Sequence, residues 1–213
     1  MPPEQIRVLL VDDHTVVRNG VRLMLSTADD INVLGEAETA QDALQLVRER
    51  EFDVALVDIA LPGKNGLDLL KLLRAEKPRL AVLVLSMYSE DVYAVRALKL
   101  GAAGYLTKSN PAATMIAAVR KAATGGKYIS PTLVEKLANM IGAHNPTPHE
   151  TLSDRELEVL KMIAAGESLV KIAQALNLSP STVTTYRTRI LEKMEMTNNT
   201  ELTRYALEKG LLI

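Results

Sequence analysis

The sequence has no cysteine and no tryptophan, and it carries one phenylalanine and three histidines. Without cysteine there are no disulfides, no thiolate metal sites and no cysteine nucleophile. Three scattered histidines do not suggest a zinc site. Aromatic residues are 3% of the chain, too few for a stacking platform on single-stranded nucleic acid. An excess of one charge is also missing: 25 Lys and Arg stand against 26 Asp and Glu. That balance excludes a uniformly basic nucleic-acid binder but leaves room for a local basic patch. The longest apolar stretch, Leu80–Leu85, is far below the ~20 residues that span a bilayer. The first apolar run, Val8–Val11, is too short for a signal-peptide core. A soluble cytoplasmic protein is the expectation.

What is present is a globular composition, 47% apolar and 24% charged over 213 residues. At ~150 residues per domain this allows one large domain or two small ones. To about residue 125, short β-branched runs alternate with helical patterns. Strands are expected at Ile6–Val11, Asn32–Ala37, Val54–Asp58, Ala81–Ser86 and Gly104–Leu106, with helices near 15–27, 39–50, 66–76, 89–99 and 111–124. Continuously apolar strands such as Val82–Leu85 point to burial on both faces, as in a parallel sheet. Five such units predict a doubly wound α/β domain whose ligand site lies at the carboxyl ends of the strands.

Gly125 and Gly126 stop the fifth helix, and residues 132–141 read as an amphipathic connecting helix. Residues 142–150 contain Pro146, Pro148 and two histidines without apolar periodicity, which makes them a linker. The expected division is therefore 1–125, a linker with its helix over 126–149, and a second domain over 150–213. That second domain reads as helices only. Ser153 to Glu156 form a capping box, and the helix it opens ends at Gly166. A second helix runs from Leu169 to Leu176. After a short turn, Ser179 caps a third helix with Pro180 at its first position, and a fourth spans Thr200–Lys209. Two helices joined by a tight turn in a small bundle make a helix-turn-helix.

Four chemically suggestive features fall at strand ends: Asp12 with Asp13, Asp58, Ser86 and Lys108. Each alone has a plain explanation, since an Asp pair after a strand is most often a helix cap and a loop lysine is usually just solvated. Together they suit phosphoryl transfer to a carboxylate. Clustered carboxylates repel unless a hard cation lies among them, and Mg²⁺ takes one or two carboxylates plus phosphate oxygens. Asp58 would attack in line, Lys108 would pair with a phosphoryl oxygen, and the Ser86 hydroxyl would donate to another.

These residues resemble the receiver domain of two-component response regulators. The likeness lies in Asp12-Asp13, Asp58 followed four residues later by Pro62, Gly66, Ser86, and Tyr105 ahead of Lys108. It implies a flavodoxin-like sheet, with Asp58 as phosphoacceptor. It further implies that Asp13, Asp58 and the backbone carbonyl of Ala60 bind Mg²⁺, that Asp12 acts through water, and that Ser86 and Tyr105 form a switch pair. The sequence departs from the family pattern at Leu61, where Met is frequent, and at Ser109, where many receivers have Pro. Tyr88, two residues after Ser86, is placed to shield the phosphoryl group from water.

In the helical domain, charge is placed rather than abundant. Residues 150–213 hold eight basic and nine acidic residues, yet from Lys171 to Lys193 four basic residues face Glu192 alone. The segments Leu152–Leu160, Ile172-Ala173, Leu178-Ser179, Thr182-Val183 and Lys193-Met194 look like the LuxR/FixJ/NarL-type helix-turn-helix. The whole chain thus resembles the NarL/FixJ class of response regulators, which implies a transcription factor on double-stranded DNA. By that pattern Thr184, Thr185 and Thr188 face base edges. Arg187, Arg189, Lys171, Lys193, Ser181 and Thr182 are candidates for phosphate contacts. Threonine lacks the bidentate reach of Arg or Lys to guanine, so water and DNA shape should carry part of the readout. Leu202, Tyr205 and Ala206 share one helical face. Packing within the domain is one reading, and a seam between two copies on half-sites ~10 bp apart is the other.

The implied partners are a sensor histidine kinase or phosphotransfer protein, promoter DNA and a second copy of the chain. An activator would also need RNA polymerase, for which no residue stands out. A phosphatase of the haloacid dehalogenase type would need Asp-x-Asp, whereas Asp58 is followed by Ile59 and Ala60, so no enzyme is expected. The remaining alternative is a DNA-binding regulator whose receiver never carries phosphate and serves only dimerisation.

Overall fold

The computed structural model describes residues 5–62, 65–87, 90–141 and 147–212. The chain divides into two compact units, residues 1–139 and 140–213.

The first unit alternates strand and helix: β1 Ile6–Val11, α1 Thr15–Leu25, β2 Ile31–Ala37, α2 Ala40–Glu49, β3 Val54–Asp58, α3 Gly66–Glu76, β4 Ala81–Ser86, α4 Glu90–Lys99, β5 Gly104–Thr107 and α5 Ala112–Ala123. All five strands are parallel, in the order β2-β1-β3-β4-β5. The order reverses between β1 and β3, so a crevice forms beyond the carboxyl ends of those strands. Register fixes what meets there, because Val11 pairs with Val57 and Asp58 with Leu85.

Strand alternation sends Val8, Leu10, Leu56, Leu83 and Leu85 to one face, where Val21 and Leu25 of α1 and Met115, Ala118 and Val119 of α5 close over them. Helices α2 and α3 lie against the strands on the sheet's other side. β3 has no exposed residue, which accounts for its unbroken apolar run up to a terminal aspartate.

Two local devices set the end of β3. Asn65, itself buried, caps α3 by accepting from the Leu67 N–H at 2.9 Å. Gly66 donates its N–H to the Ile59 carbonyl at 2.8 Å. A Cβ at Gly66 would lie 1.9 Å from the carbonyl oxygen of Asp58, so only glycine lets α3 begin this close to the strand end.

The segment after α5 stays on the sheet instead of leaving it as a linker at residue 126. Tyr128 makes a parallel bridge with Gly104 and donates its N–H to the Ala103 carbonyl at 2.7 Å. Helix α6, Pro131–Ile141, follows with Leu133 buried. Of the expected linker, residues 142–146 lie outside the described residues. Pro148–Thr151 form a short 3-10 helix, its start held by the Thr147 N–H donating to the Glu150 carboxylate at 2.7 Å. That cap supplies the order that the absence of periodicity did not predict.

The second unit contains α7 Asp154–Ala164, α8 Leu169–Ala175, α9 Pro180–Lys193 and α10 Asn199–Glu208. Every start is capped from the sequence: Ser153 with Glu156 reciprocating, Ser168, Ser179 and Asn198, each worth ~1 kcal/mol. The tight turn between α8 and α9 uses Asn177 at φ 53°, a left-handed position that Asn tolerates better than most residues. Leu157, Leu160, Ile172, Val183, Ile190, Leu202 and Ala206 are fully buried.

Candidate functional site

The crevice at the strand ends collects charge. Asp12 follows β1 and is 3% exposed, Asp58 ends β3 at 1%, and Ser86 ends β4 at 1%. Lys108 follows β5, and its backbone N–H donates to the Ser86 carbonyl at 2.8 Å. Its ammonium donates to Oδ2 of Asp58 at 2.7 Å and also lies 2.7 Å from Oδ2 of Asp12 as an ion pair. Oδ1 of Asp58 accepts from the Ala60 N–H at 3.2 Å.

Burial pushes the Asp58 carboxyl above the usual carboxylate range. The Lys108 ammonium pulls it back and the Asp12 carboxylate adds to the rise. Burial likewise disfavours the Lys108 ammonium, but the attraction of Asp12 and Asp58 outweighs it and its pKa ends up raised. One cation among several carboxylates leaves the crevice short of positive charge.

That shortage can be tested against a divalent cation. Oδ2 of Asp12 and Oδ1 of Asp13 are buried and accept no hydrogen bond. Each has one charged or ring-nitrogen neighbour, the Lys108 ammonium at 2.7 Å from the first and Nδ1 of His14 at 2.8 Å from the second. Donor atoms of Asp12, Asp13, His14 and Asp58 all lie within 4.8 Å of one another. A carboxylate-rich set with a single lysine ammonium among it fits a divalent metal ion.

Sequence reasoning missed two residues of this site. His14 precedes α1, and its Nδ1 lies 2.8 Å from Oδ1 of Asp13 and 3.3 Å from Oδ1 of Asp12. Arg18 is buried on α1; its Nη1 donates to the backbone carbonyl of Asp12 at 2.6 Å, and it reaches Glu36 on β2 and Glu38 just after that strand. Arg18 shares the buried stripe of α1 with Val21 and Leu25, so a charge on an apolar face was the available signal. The Tyr105 ring is turned into the unit and is 1% exposed. Ala60 is exposed, and Tyr88 lies outside the described residues.

In the second unit, α9 buries Val183 and Ile190 and leaves Ser181, Thr184, Thr185, Thr188 and Arg189 exposed. Thr182 and Arg187 are half-buried. The hydroxyls of Thr184, Thr185 and Thr188 donate to the carbonyls of Pro180, Ser181 and Thr184, at 2.9, 3.1 and 3.2 Å. Each therefore turns oxygen lone pairs and a methyl outward. Arg187 Nε donates to Oδ1 of Asn199 at 2.7 Å, tying α9 to α10. Lys171 is exposed on α8, 3.6 Å from Glu167.

The structure bears on two sequence expectations here. Lys193 donates to Oε2 of Glu156 at 2.7 Å, so its ammonium, with 42% of the side chain exposed, neutralises a buried carboxylate of α7. Leu202 and Ala206 are fully buried where α10 packs on α7; they are core of this unit and offer no seam to a second copy. Tyr205 is half-buried, with its hydroxyl 2.8 Å from Nδ1 of His149. Of the two readings of this stripe, packing within the domain is the one that holds for Leu202 and Ala206.

Residues 8–120 match the response regulator receiver domain family, and residues 150–206 match the bacterial regulatory proteins of the luxR family. The response regulator GacA of Pseudomonas aeruginosa is 38% identical over 97% of this chain and 98% of its own. The structure is also similar to the RcsB response regulator of Salmonella typhimurium, with a TM-score of 0.74 and 25% identity over 97% of this chain and 98% of that one. RcsB from Salmonella enterica serovar Typhimurium bound to promoter DNA with the phosphomimetic BeF3⁻ gives a TM-score of 0.69 and 26% identity, covering 94% and 98%.

Proposed function

The chain belongs to the two-component response regulators that join a receiver domain to a LuxR-type DNA-binding domain, and from that premise we propose that Asp58 accepts the phosphoryl group that switches it. A carboxylate oxygen of Asp58 forms the new bond to phosphorus. The bond from phosphorus to the donor's leaving group breaks, and the leaving group takes up a proton. The donor is a phosphohistidine of a sensor kinase or phosphotransfer protein, or a small acyl phosphate.

Asp13, Asp58 and the backbone carbonyl of Ala60 would hold Mg²⁺, with Asp12 acting through water. Bound there, the ion would offset charge on the transferring phosphoryl oxygens. Arg18 keeps the Asp12 backbone in place. Lys108 exchanges its bond to the Asp58 carboxylate for one to a phosphoryl oxygen, and the Ser86 hydroxyl donates to another. The Tyr105 ring is already turned inward, so the phosphoryl group would hold it there through Ser86. This rearrangement at β4 and β5 favours dimerisation or release of α9, either of which needs a few kcal/mol of differential contact.

On DNA, α9 would enter the major groove with Thr184, Thr185 and Thr188 at the base edges. Arg189, Lys171, Ser181 and Thr182 would lie toward phosphates, with Arg187 braced by Asn199. The protein would act in the cytoplasm and carry out no reaction on a separate substrate.

The observation that carries this reading is the buried Asp58 carboxylate facing the Lys108 ammonium beside the carboxylates of Asp12 and Asp13. It is tested by ¹⁹F NMR of the full chain with Mg²⁺ and beryllofluoride. Protein-bound fluorine resonances are expected for the natural sequence and none for Asp58→Ala. Bound resonances that survive in Asp58→Ala would contradict the assignment.

A further inference from the structure

We infer that α9 selects A·T over G·C pairs, because Thr184, Thr185 and Thr188 present only oxygen lone pairs and methyl groups to the bases. The inference rests on the reading above in one respect, that α9 lies in the major groove.

The first argument is where the hydroxyl protons go. Thr184, Thr185 and Thr188 donate to the carbonyls of Pro180, Ser181 and Thr184, each one turn back along α9. Among the described residues no hydrogen bond enters any of the three hydroxyl oxygens. A hydroxyl has one proton and two lone pairs, so each threonine faces outward as an acceptor beside a methyl. Donating to a base instead would forfeit the bond to the helix carbonyl, a factor of about five.

The second is what this face lacks. Ser181, Thr184, Thr185 and Thr188 are exposed and stand at the i, i+3, i+4 and i+7 positions of one stripe. The Ser181 hydroxyl is engaged with that of Ser179 at 2.8 Å. From Pro180 to Thr188 the only charged side chain is Arg187, and its Nε is held by Asn199 of α10. The stripe has no fixed donor to set against O6 and N7 of guanine.

Complementarity is the third. In the major groove an A·T pair shows the adenine amino group as donor and the thymine methyl as an apolar contact. Threonine meets both, the first with its oxygen and the second with its methyl. On a G·C pair the same side chain finds the cytosine amino group but no methyl, and its lone pairs oppose those of guanine. Thr184 to Thr188 spans ~6 Å along the helix axis, against ~3.4 Å per base pair. The stripe thus covers about two or three consecutive pairs.

The test selects sites for the full chain, with Mg²⁺ and beryllofluoride, from a randomised duplex library, and measures the recovered duplex by fluorescence anisotropy. A short run of A·T pairs is expected at a fixed place in each half-site. Replacing its thymines by uracil removes only the methyl and should weaken binding roughly threefold to fivefold per contacted base. Thr184→Ser and Thr188→Ser keep the hydroxyl and lose the methyl. Each should lose a similar factor on the thymine duplex and nothing further at its own uracil, which is the coupling expected of a direct contact. G·C pairs selected where the serine variants alter preference, or uracil without effect on the natural sequence, would overturn the inference. The two readings fail separately. Arg189→Gln without effect on any duplex would take α9 out of the groove and the inference with it, whereas an Arg189→Gln effect without uracil coupling removes the base preference alone.

Discussion

The ammonium of Lys108 lies 2.7 Å from Oδ2 of Asp58, with 6% and 2% of the two side chains exposed. The strand ends thus carry a neutralising cation on the residue that the phosphoryl group would occupy. Removing it leaves Asp58 and Asp12 facing each other. Breaking a fully buried pair costs ~3–5 kcal/mol, but the raised pKa of Asp58 lets that carboxyl take up a proton instead. Lys108→Ala is therefore expected to lose about 2 kcal/mol in urea unfolding with EDTA, and to recover most of it in millimolar Mg²⁺. A loss that Mg²⁺ does not reduce would mean that the carboxylates do not share a cation.

The Glu156–Lys193 pair predicts a pH dependence. Burial pushes the Glu156 carboxyl up, but Lys193 and the N–H and hydroxyl of Ser153 more than reverse this, so its pKa lies below the ordinary 4.5. A depressed carboxyl contributes stability above its unfolded value and loses it as pH falls through the folded one. The stability that the pair adds should be full at pH 6–7 and be lost as pH falls below ~4.5 through the folded value. Lys193→Ala should be less stable than the natural sequence at pH 7 by ~1–2 kcal/mol, and the gap should close by pH ~3. Urea unfolding across that range measures it, and a gap independent of pH would count against the pair.

The same pair separates two basic residues on α9. A side chain that neutralises one phosphate contributes ~0.9 to the slope of log affinity against log salt. Arg189→Gln should lower that slope by about this amount on any duplex. Lys193→Gln should leave the slope unchanged, because its ammonium serves Glu156. Fluorescence anisotropy over a salt series decides, and equal changes in both variants would restore Lys193 as a phosphate contact.

Much of this was legible in the sequence because the signals are local. Strand ends, caps such as Ser153 and Ser179, and the position of Pro180 depend on neighbours a few residues away. Spacing between strands then brought Asp12, Asp58, Ser86 and Lys108 together through topology alone. What escaped depends on partners distant in sequence. Nothing near Lys193 shows that Glu156 lies beneath it, and nothing near Arg18 names Glu36, Glu38 and the Asp12 carbonyl. Leu202 and Ala206 show the limit most directly, since a periodic stripe says that a face is covered but not by what.

That packing has its own consequence. Truncating a buried leucine to alanine costs ~2–5 kcal/mol. Leu202→Ala should lose that much stability whatever the protein concentration. A dimer seam would give the opposite pattern, with little effect on monomer unfolding and a weakened association in analytical ultracentrifugation.

The most direct test of the switch is the intact mass of the full chain after incubation with acetyl phosphate and Mg²⁺, for the natural sequence and for Asp58→Ala. A single phosphoryl adduct on the natural sequence, lost on removing Mg²⁺ and absent from Asp58→Ala, is the predicted result. An equal adduct on Asp58→Ala would contradict the assignment of Asp58. No adduct together with no binding of beryllofluoride would make this a receiver that never carries phosphate.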